Sequence, residues 1–209
     1  IKVLYDGKGL RALAGAFPDT FTQDEVKAMQ KYDLAQSKRL LAEAGYGGGL
    51  DLEFIYPGAS YGQAYLTSME LLQAQLKKVG VNLQLKSLDK ADESDRKKNG
   101  EFTTTHTSKS LDSDVDSYLY NVFHPQSKAN YGGTNDPQLT ELLLAQRREP
   151  DTTKRREIVR AAAARIYDQA HALALYEGVQ FQFWYPHIKN YYPNFGALGW
   201  PLTETWLDK

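Results

Sequence analysis

The chain has 209 residues, 42% of them hydrophobic, which is enough for one sizeable core. Its 25 basic and 26 acidic side chains leave a formal charge of -1, which excludes the concentrated basic surface a nucleic-acid binder needs. The lack of cysteine removes thiolate zinc sites, iron–sulfur clusters, disulfides and cysteine nucleophiles, and no run approaches the roughly 18 apolar residues that span a bilayer.

The opening IKVLYDGKG has neither an N-cap nor a targeting pattern and reads as a stretch from inside a larger protein. Asp33 then caps a helix with Leu34, Leu40, Leu41 and Ala44 on one side, and Gly45 stands where a left-handed residue closes it. After the turn Gly47-Gly48-Gly49, LDLEFIY alternates with Leu50, Leu52 and Phe54 facing one way, the period of a strand. Ser60 is the expected cap of the next helix, whose stripe Leu66, Met69, Leu72, Leu76 and Val79 is ended by Gly80. VNLQLKSL is a second strand, so this stretch is a βαβ unit with parallel strands.

Residues 89–98 predict a short charged helix, FTTTHT a strand and 114–123 a helix, followed by the polar loop HPQSKANYGGTN. Asp136-Pro137 opens another helix, with Asp as cap and Pro at the first position. TTKRREIVRAAAARIYDQA is a long helix with Ile158, Ala162 and Ile166 inward, and ALALYE and VQFQFWY read as two late strands before an aromatic tail. The predicted class is α/β: a mixed, mostly parallel sheet flanked by helices.

Asp112, Asp114 and Asp116 match the first three ligand positions of a calcium loop. Ser117 and Phe123 stand where such a loop needs glycine and a bidentate glutamate, so no metal site is expected; Ser113 or Asp114 is read as a helix cap instead. His106, His124, His171 and His187 never fall at a metal-ligand spacing. The chain carries no nucleophile elbow and no phosphate loop, since Gly45 to Gly49 precedes a strand and not a helix. No catalytic residue and no cofactor is therefore assigned. The aromatics Tyr56, Tyr61, Tyr65, Tyr118, Tyr120, Tyr131, Tyr176, Trp184 and Tyr185 fall near strand ends and loops. Some fill the core, and a subset at carboxyl strand ends suits a ligand cleft, because open α/β sheets bind there.

Five stretches carry a resemblance: YDLAQSKRLLAEAGY, LLQAQLKKVGVNLQLKSLD, NYGGTNDPQLTELL, RREIVRAAAARIYDQAHALALYE and KNYYPNFGALGW with the closing WLDK. Their order resembles the second lobe and C-terminal tail of the bacterial solute-binding proteins that serve ABC importers of the oligopeptide, dipeptide and nickel type. The resemblance implies a clamshell lobe: a lead-in over residues 1–31, a ligand-binding lobe over 32–185, and a tail over 186–209 that returns to an N-terminal lobe. It also implies a periplasmic or cell-surface location, a small-molecule solute, and a membrane permease as partner.

Peptide-binding members are similar to one another in a G-W-x-x-D stretch, whose Asp pairs with the peptide amine, and dipeptide binders in an Arg after the first strand. Here Ser108 and Leu111 occupy the Trp and Asp positions and Ala59 falls near the Arg. A zwitterionic peptide would leave buried charges unpaired, so a free di- or tripeptide is not expected. Asp112, one residue on, is the alternative partner for an amine. The expected cleft residues are Tyr56, Tyr61, Ser108, Lys109, Asp112, Asn130, Tyr131 and Tyr176, for a peptide-like, opine-like or sugar-like solute. The rival readings are an autonomous interaction module, or a hydrolase using the acidic cluster 112–116.

Overall fold

The computed structural model describes residues 9–14, 20–107, 115–176, 183–191 and 204–208, residue 59 by its backbone alone. Helix α1 (Gln23–Met29) opens on a capping box that the sequence spells as Thr22-x-x-Glu25. Asp33 caps α2 (Leu34–Glu43) by accepting from the Gln36 N–H at 2.8 Å. The end of α2 closes as glycine allows. Gly45 sits at φ 89°, its N–H donates to the Ala42 carbonyl at 3.0 Å, and the Tyr46 N–H donates to Leu41 at 2.8 Å.

Strand β1 (Leu50–Tyr56) runs parallel to β2 (Val81–Ser87), in register from Leu50 opposite Val81 to Tyr56 opposite Ser87. The crossover is helix α3 (Gly62–Lys77), which packs on β2. Phe54, Met69 and Leu83 form the core between helix and sheet, with Leu52, Leu72, Leu76 and Leu85 around them, so the alternation and the helical stripe meet as the sequence expects. Each such fully buried side chain contributes about 2 kcal/mol. Helix α4 (Lys90–Asn99) follows, capped by Asp89, and strand β3 (Thr104–Thr105) pairs parallel with Phe54 and Ile55. The strand order β2-β1-β3 puts β1 in the centre, where Ile55 is fully buried.

A second core joins α5 (Val115–Phe123), α6 (Pro137–Arg148) and α7 (Thr152–Asp168) through Leu119, Phe123, Leu139, Leu143, Ala162 and Ile166. Asp136 caps α6 and also receives Arg165 at 2.7 Å and His171 at 2.9 Å. Burial pushes its carboxyl up, but these two partners hold it well below the usual carboxylate range. Leu13, Phe21 and Val26 pack on Ala163 of α7. Arg160 fastens this segment by donating to the Thr20 carbonyl at 2.8 Å, pairing with Glu25, and lying over the Phe21 ring.

The structure corrects several expectations. Ser60 is not a cap: it lies inside a 3-10 turn (Gly58–Tyr61), its N–H held by the Pro57 carbonyl at 3.1 Å, and Tyr61 precedes α3 without a side-chain cap. The turn is tight because Gly58, at φ 42°, lies directly against Ser87. Of FTTTHT only Thr104 and Thr105 pair, and their hydroxyls donate to the Glu53 and Ile55 carbonyls at 2.6 and 3.2 Å.

Residues 172–176 of ALALYE form no strand. Alternation without a neighbouring strand makes no ladder, and Leu173 stays 71% exposed. Of VQFQFWY, residues 179–182 lie outside the described residues and 183–185 are irregular. The tail instead pairs β4 (Ile188–Lys189) antiparallel with β5 (Trp206–Leu207). Within α7, Ala162 and Ile166 are fully buried as expected, while Ile158 is half-buried and its neighbour Val159 takes the inward place.

Candidate functional site

Parallel strands send the chain out at their carboxyl ends, and side chains from successive exits converge there. Tyr56 ends β1 with its ring against the Phe54–Met69–Leu83 core. Tyr61 follows on the 3-10 turn, and Tyr65 stands one helical turn further, in α3. The Tyr65 ring is the hub: its centroid lies 6.2 Å from Tyr56, 5.1 Å from Tyr61 and 5.4 Å from His106, the residue after β3's last threonine. His106 also meets Tyr61 edge-on at 5.2 Å.

Helix α4 supplies the charge below these rings. Glu93 and Lys97, one turn apart, approach to 3.0 Å with side chains only 8% and 12% exposed, whereas the Asp92–Arg96 and Asp95–Lys98 pairs of the same helix face solvent. Lys97 Nζ donates to the His106 carbonyl at 2.8 Å and lies 5.4 Å from the Tyr131 ring centre, so one ammonium joins α4, the β3 exit and the polar loop. His106 Nδ1 is 3.9 Å from Glu93 Oε1, too far to bond. Three atoms are buried here without a hydrogen-bond partner: Tyr65 Oη, Glu93 Oε1 and His106 Nδ1. Lys97 neutralises the Glu93 carboxylate, but its approach to Oε1 lacks hydrogen-bond alignment.

These surroundings set the protonation states. Burial pushes the Tyr65 hydroxyl up, helped by Tyr61 and by the Glu93 charge, so it stays a phenol at any physiological pH. Burial likewise lowers the His106 pKa, and Lys97 lowers it further against the opposing pull of Glu93. The imidazole is neutral near pH 7.

Of the residues expected in the cleft, Tyr56, Tyr61 and Tyr131 join this cluster, and Tyr176 lies near enough to help raise the Tyr65 pKa. Asn130 has another use: its Nδ2 donates to the Thr134 carbonyl at 2.8 Å and its Oδ1 accepts from the Thr134 N–H at 2.9 Å, which fixes the loop that carries Tyr131. Ser108, Lys109 and Asp112 lie outside the described residues, as do Leu111, Ser113, Asp114 and the Ala59 side chain. Glu93, Lys97 and His106 were missed as site residues. The run KADESDRKKN reads as a solvated helix, and nothing in its composition says which of its ion pairs turns inward.

Asp116, the last acid of the 112–116 cluster, accepts from Gln146 and pairs with Arg147 at 3.2 Å. With Ser117, Glu149 and Arg155 it lines an open hollow of about 340 Å³. Among the described residues no group of three or more His, Asp or Glu could hold a metal ion. His124 stacks on Tyr120 at 4.2 Å, His171 binds Asp136, and His187 stacks on Tyr185 at 5.3 Å.

A parallel sheet whose carboxyl ends gather aromatic rings and buried hydrogen-bonding groups is the arrangement at which open α/β folds bind ligands. The family described as bacterial extracellular solute-binding proteins, family 5 Middle, matches residues 1–130, more than half of the chain, and the chain belongs to this family. It is 26% identical over 197 residues to the dipeptide-binding protein of Escherichia coli (strain K12), covering 91% of this chain and 37% of that one. It is also 26% identical over 196 residues to heme-binding protein A of Haemophilus influenzae, covering 91% of this chain and 36% of that protein. The chain thus spans little more than a third of either relative's length.

Among solved structures, the periplasmic binding protein DppA of Helicobacter pylori, in complex with the peptide STSA, superposes with a TM-score of 0.74 at 19% identity, covering 100% of this chain and 41% of that one. That likeness shows the fold: α/β with a parallel sheet flanked by helices. Members of the family work outside the cytoplasm, and so does this chain. No helix among the described residues is long and apolar enough to cross a membrane.

Proposed function

We propose that this chain is the second lobe of an extracytoplasmic receptor that captures a small solute and delivers it to the permease of an ABC importer. The observation that carries the reading is the convergence of Tyr56, Tyr61, Tyr65 and His106 at the carboxyl ends of β1 and β3, in a chain of this family. Residues 32–185 form the lobe, residues 1–31 lead into it, and residues 186–209 return towards the other lobe. The tail exposes Trp206 and Leu207, apolar surface that contact with the rest of the receptor would cover. Closure of the two lobes about a hinge buries the solute, and the closed form docks on the permease.

The receptor does no chemistry on its solute. The curated relatives are named for a dipeptide and for heme, so their names do not choose between a peptide-like, opine-like or sugar-like ligand. Native mass spectrometry of the protein isolated from the cells that make it tests the reading. The expected result is a retained small molecule, released unchanged on mild activation. Release of a chemically altered product, or catalytic turnover of the solute, would overturn it.

A further inference from the structure

We propose that the solute presents a neutral, hydroxyl-bearing ring, a saccharide or cyclic polyol, with one hydroxyl held by Tyr65, Glu93 and His106 beneath Tyr61. The inference rests on the receptor reading and narrows it. It begins from three polar atoms that native interiors rarely leave without a partner: Tyr65 Oη, Glu93 Oε1 and His106 Nδ1. They come from α3, α4 and the exit of β3, and the rings and the 3.9 Å separation of Glu93 from His106 bring them to one place. Three elements converging on the same unmet need mark a subsite, because each orphaned atom alone is a cost that folding has no reason to keep.

Charge decides what the subsite takes. An ammonium group reaching Glu93 Oε1 would come within a few ångströms of Lys97 Nζ, itself 3.0 Å from that oxygen. A carboxylate would meet Glu93. The pair is neutral as a unit, and the neighbouring imidazole is neutral too, so a charged ligand group would find no countercharge. A hydroxyl fits: it donates once, to Glu93 Oε1, and accepts twice, from the Tyr65 O–H and from His106 in its Nδ1–H tautomer.

Tyr61 supplies both access and a platform. Its ring lies against Tyr65 and His106, yet the residue is 44% exposed on a short turn, so in the proposed complex Tyr61 gives way by a change of rotamer and offers an aromatic face beside the three atoms. An aromatic face next to a neutral hydroxyl subsite complements a sugar ring, whose C–H face is apolar and whose rim is hydroxylated.

The experiment follows the imidazole C–H signals of the 209-residue chain by NMR while cellotriose, and separately the zwitterion trialanine, is added to high millimolar concentration. Cellotriose should shift the His106 signal saturably and leave His187 in place, and trialanine should not. Tyr65→Phe should weaken the cellotriose response about tenfold, the effect of one lost hydrogen bond to a buried group. The His124 and His171 signals report whether a variant is folded; if Tyr65→Phe loses them, Tyr61→Ala takes its place, with about a threefold to tenfold weakening expected from the lost platform.

A saturable response to trialanine, an equal response to both, no response to either, or a folded variant that binds as tightly as the parent would each overturn the inference. A response to trialanine would leave the receptor reading standing, and that reading is decided separately by the mass spectrum.

Discussion

Glu25 shows how much one carboxylate can hold. It closes the capping box of α1 through Thr22 and also pairs with Arg160 on α7, 135 residues away. The Arg160 hydrogen bond first, then the Thr22 backbone and hydroxyl, lower its pKa from 4.5 to about 2. A depressed carboxylate contributes stability that is fully present above the unfolded pKa and lost as pH falls through the folded one. The parent should therefore lose stability relative to Glu25→Gln between about pH 4.5 and pH 2, as read by urea denaturation across that window. A pH profile unchanged by the substitution would mean that the pair is solvated away.

Residue identities alone explain why part of the site was legible and part was not. Tyr56 and Tyr61 were readable because the strand pattern places aromatics at the exit of β1; Tyr131 is carried by the polar loop and Tyr176 by a stretch that forms no strand. The lone His106 gave no signal of its own. Glu93 and Lys97 were illegible because the helical repeat offers several equivalent acid–base pairs, and only the contacts with His106 and Tyr131, distant in sequence, select one.

At the scale of elements, the turn between β1 and α3 carries the tightest backbone constraint. Gly58 lies at φ 42°, and a Cβ there would meet the Ser87 Oγ at 2.6 Å. Gly45, at φ 89°, has nothing within 4 Å of the corresponding position. Gly45→Ala should thus cost only the left-handed backbone penalty, about 1 kcal/mol, and Gly58→Ala that amount plus a steric part. Adding Ser87→Gly to Gly58→Ala should recover the steric part and leave the backbone part, a non-additivity measurable by chemical denaturation. Additive effects would show that Ser87 simply turns aside.

Elements whose signals are local were readable from the sequence. Asp33, Asp89 and Asp136 each cap the helix they precede, and Gly45 ends α2 with the expected pair of bonds. Elements that depend on a distant partner were not. β3 is as long as its contact with Phe54 and Ile55 permits, and residues 172–176 alternate without a strand beside them. Thr22-x-x-Glu25 before α1 and Asp151, the cap of α7, were local signals passed over.

At the scale of the molecule, three apolar clusters among the described residues share the stabilisation, one between α3 and the sheet, one among α5, α6 and α7, and one that joins Leu13, Phe21 and Val26 to Ala163. Leu143 is fully buried at the centre of the second. Leu143→Ala should cost about 3 kcal/mol, a transfer loss plus a cavity, measured as a lower denaturation midpoint. A cost below about 1 kcal/mol would mean that the three helices close over the gap.

The clasp of Arg160 on Phe21 and Glu25 also orders events during synthesis. Helix α1 leaves the ribosome with its cap complete, and more than a hundred residues must follow before α7 arrives to cover Phe21 and Val26. A nascent chain therefore carries an apolar strip that only the later helix α7 can bury, the kind of surface for which chaperones compete. A chain stopped before residue 152 keeps β1, β2 and β3 and leaves that strip open, so quality control can recognise an unfinished chain by it.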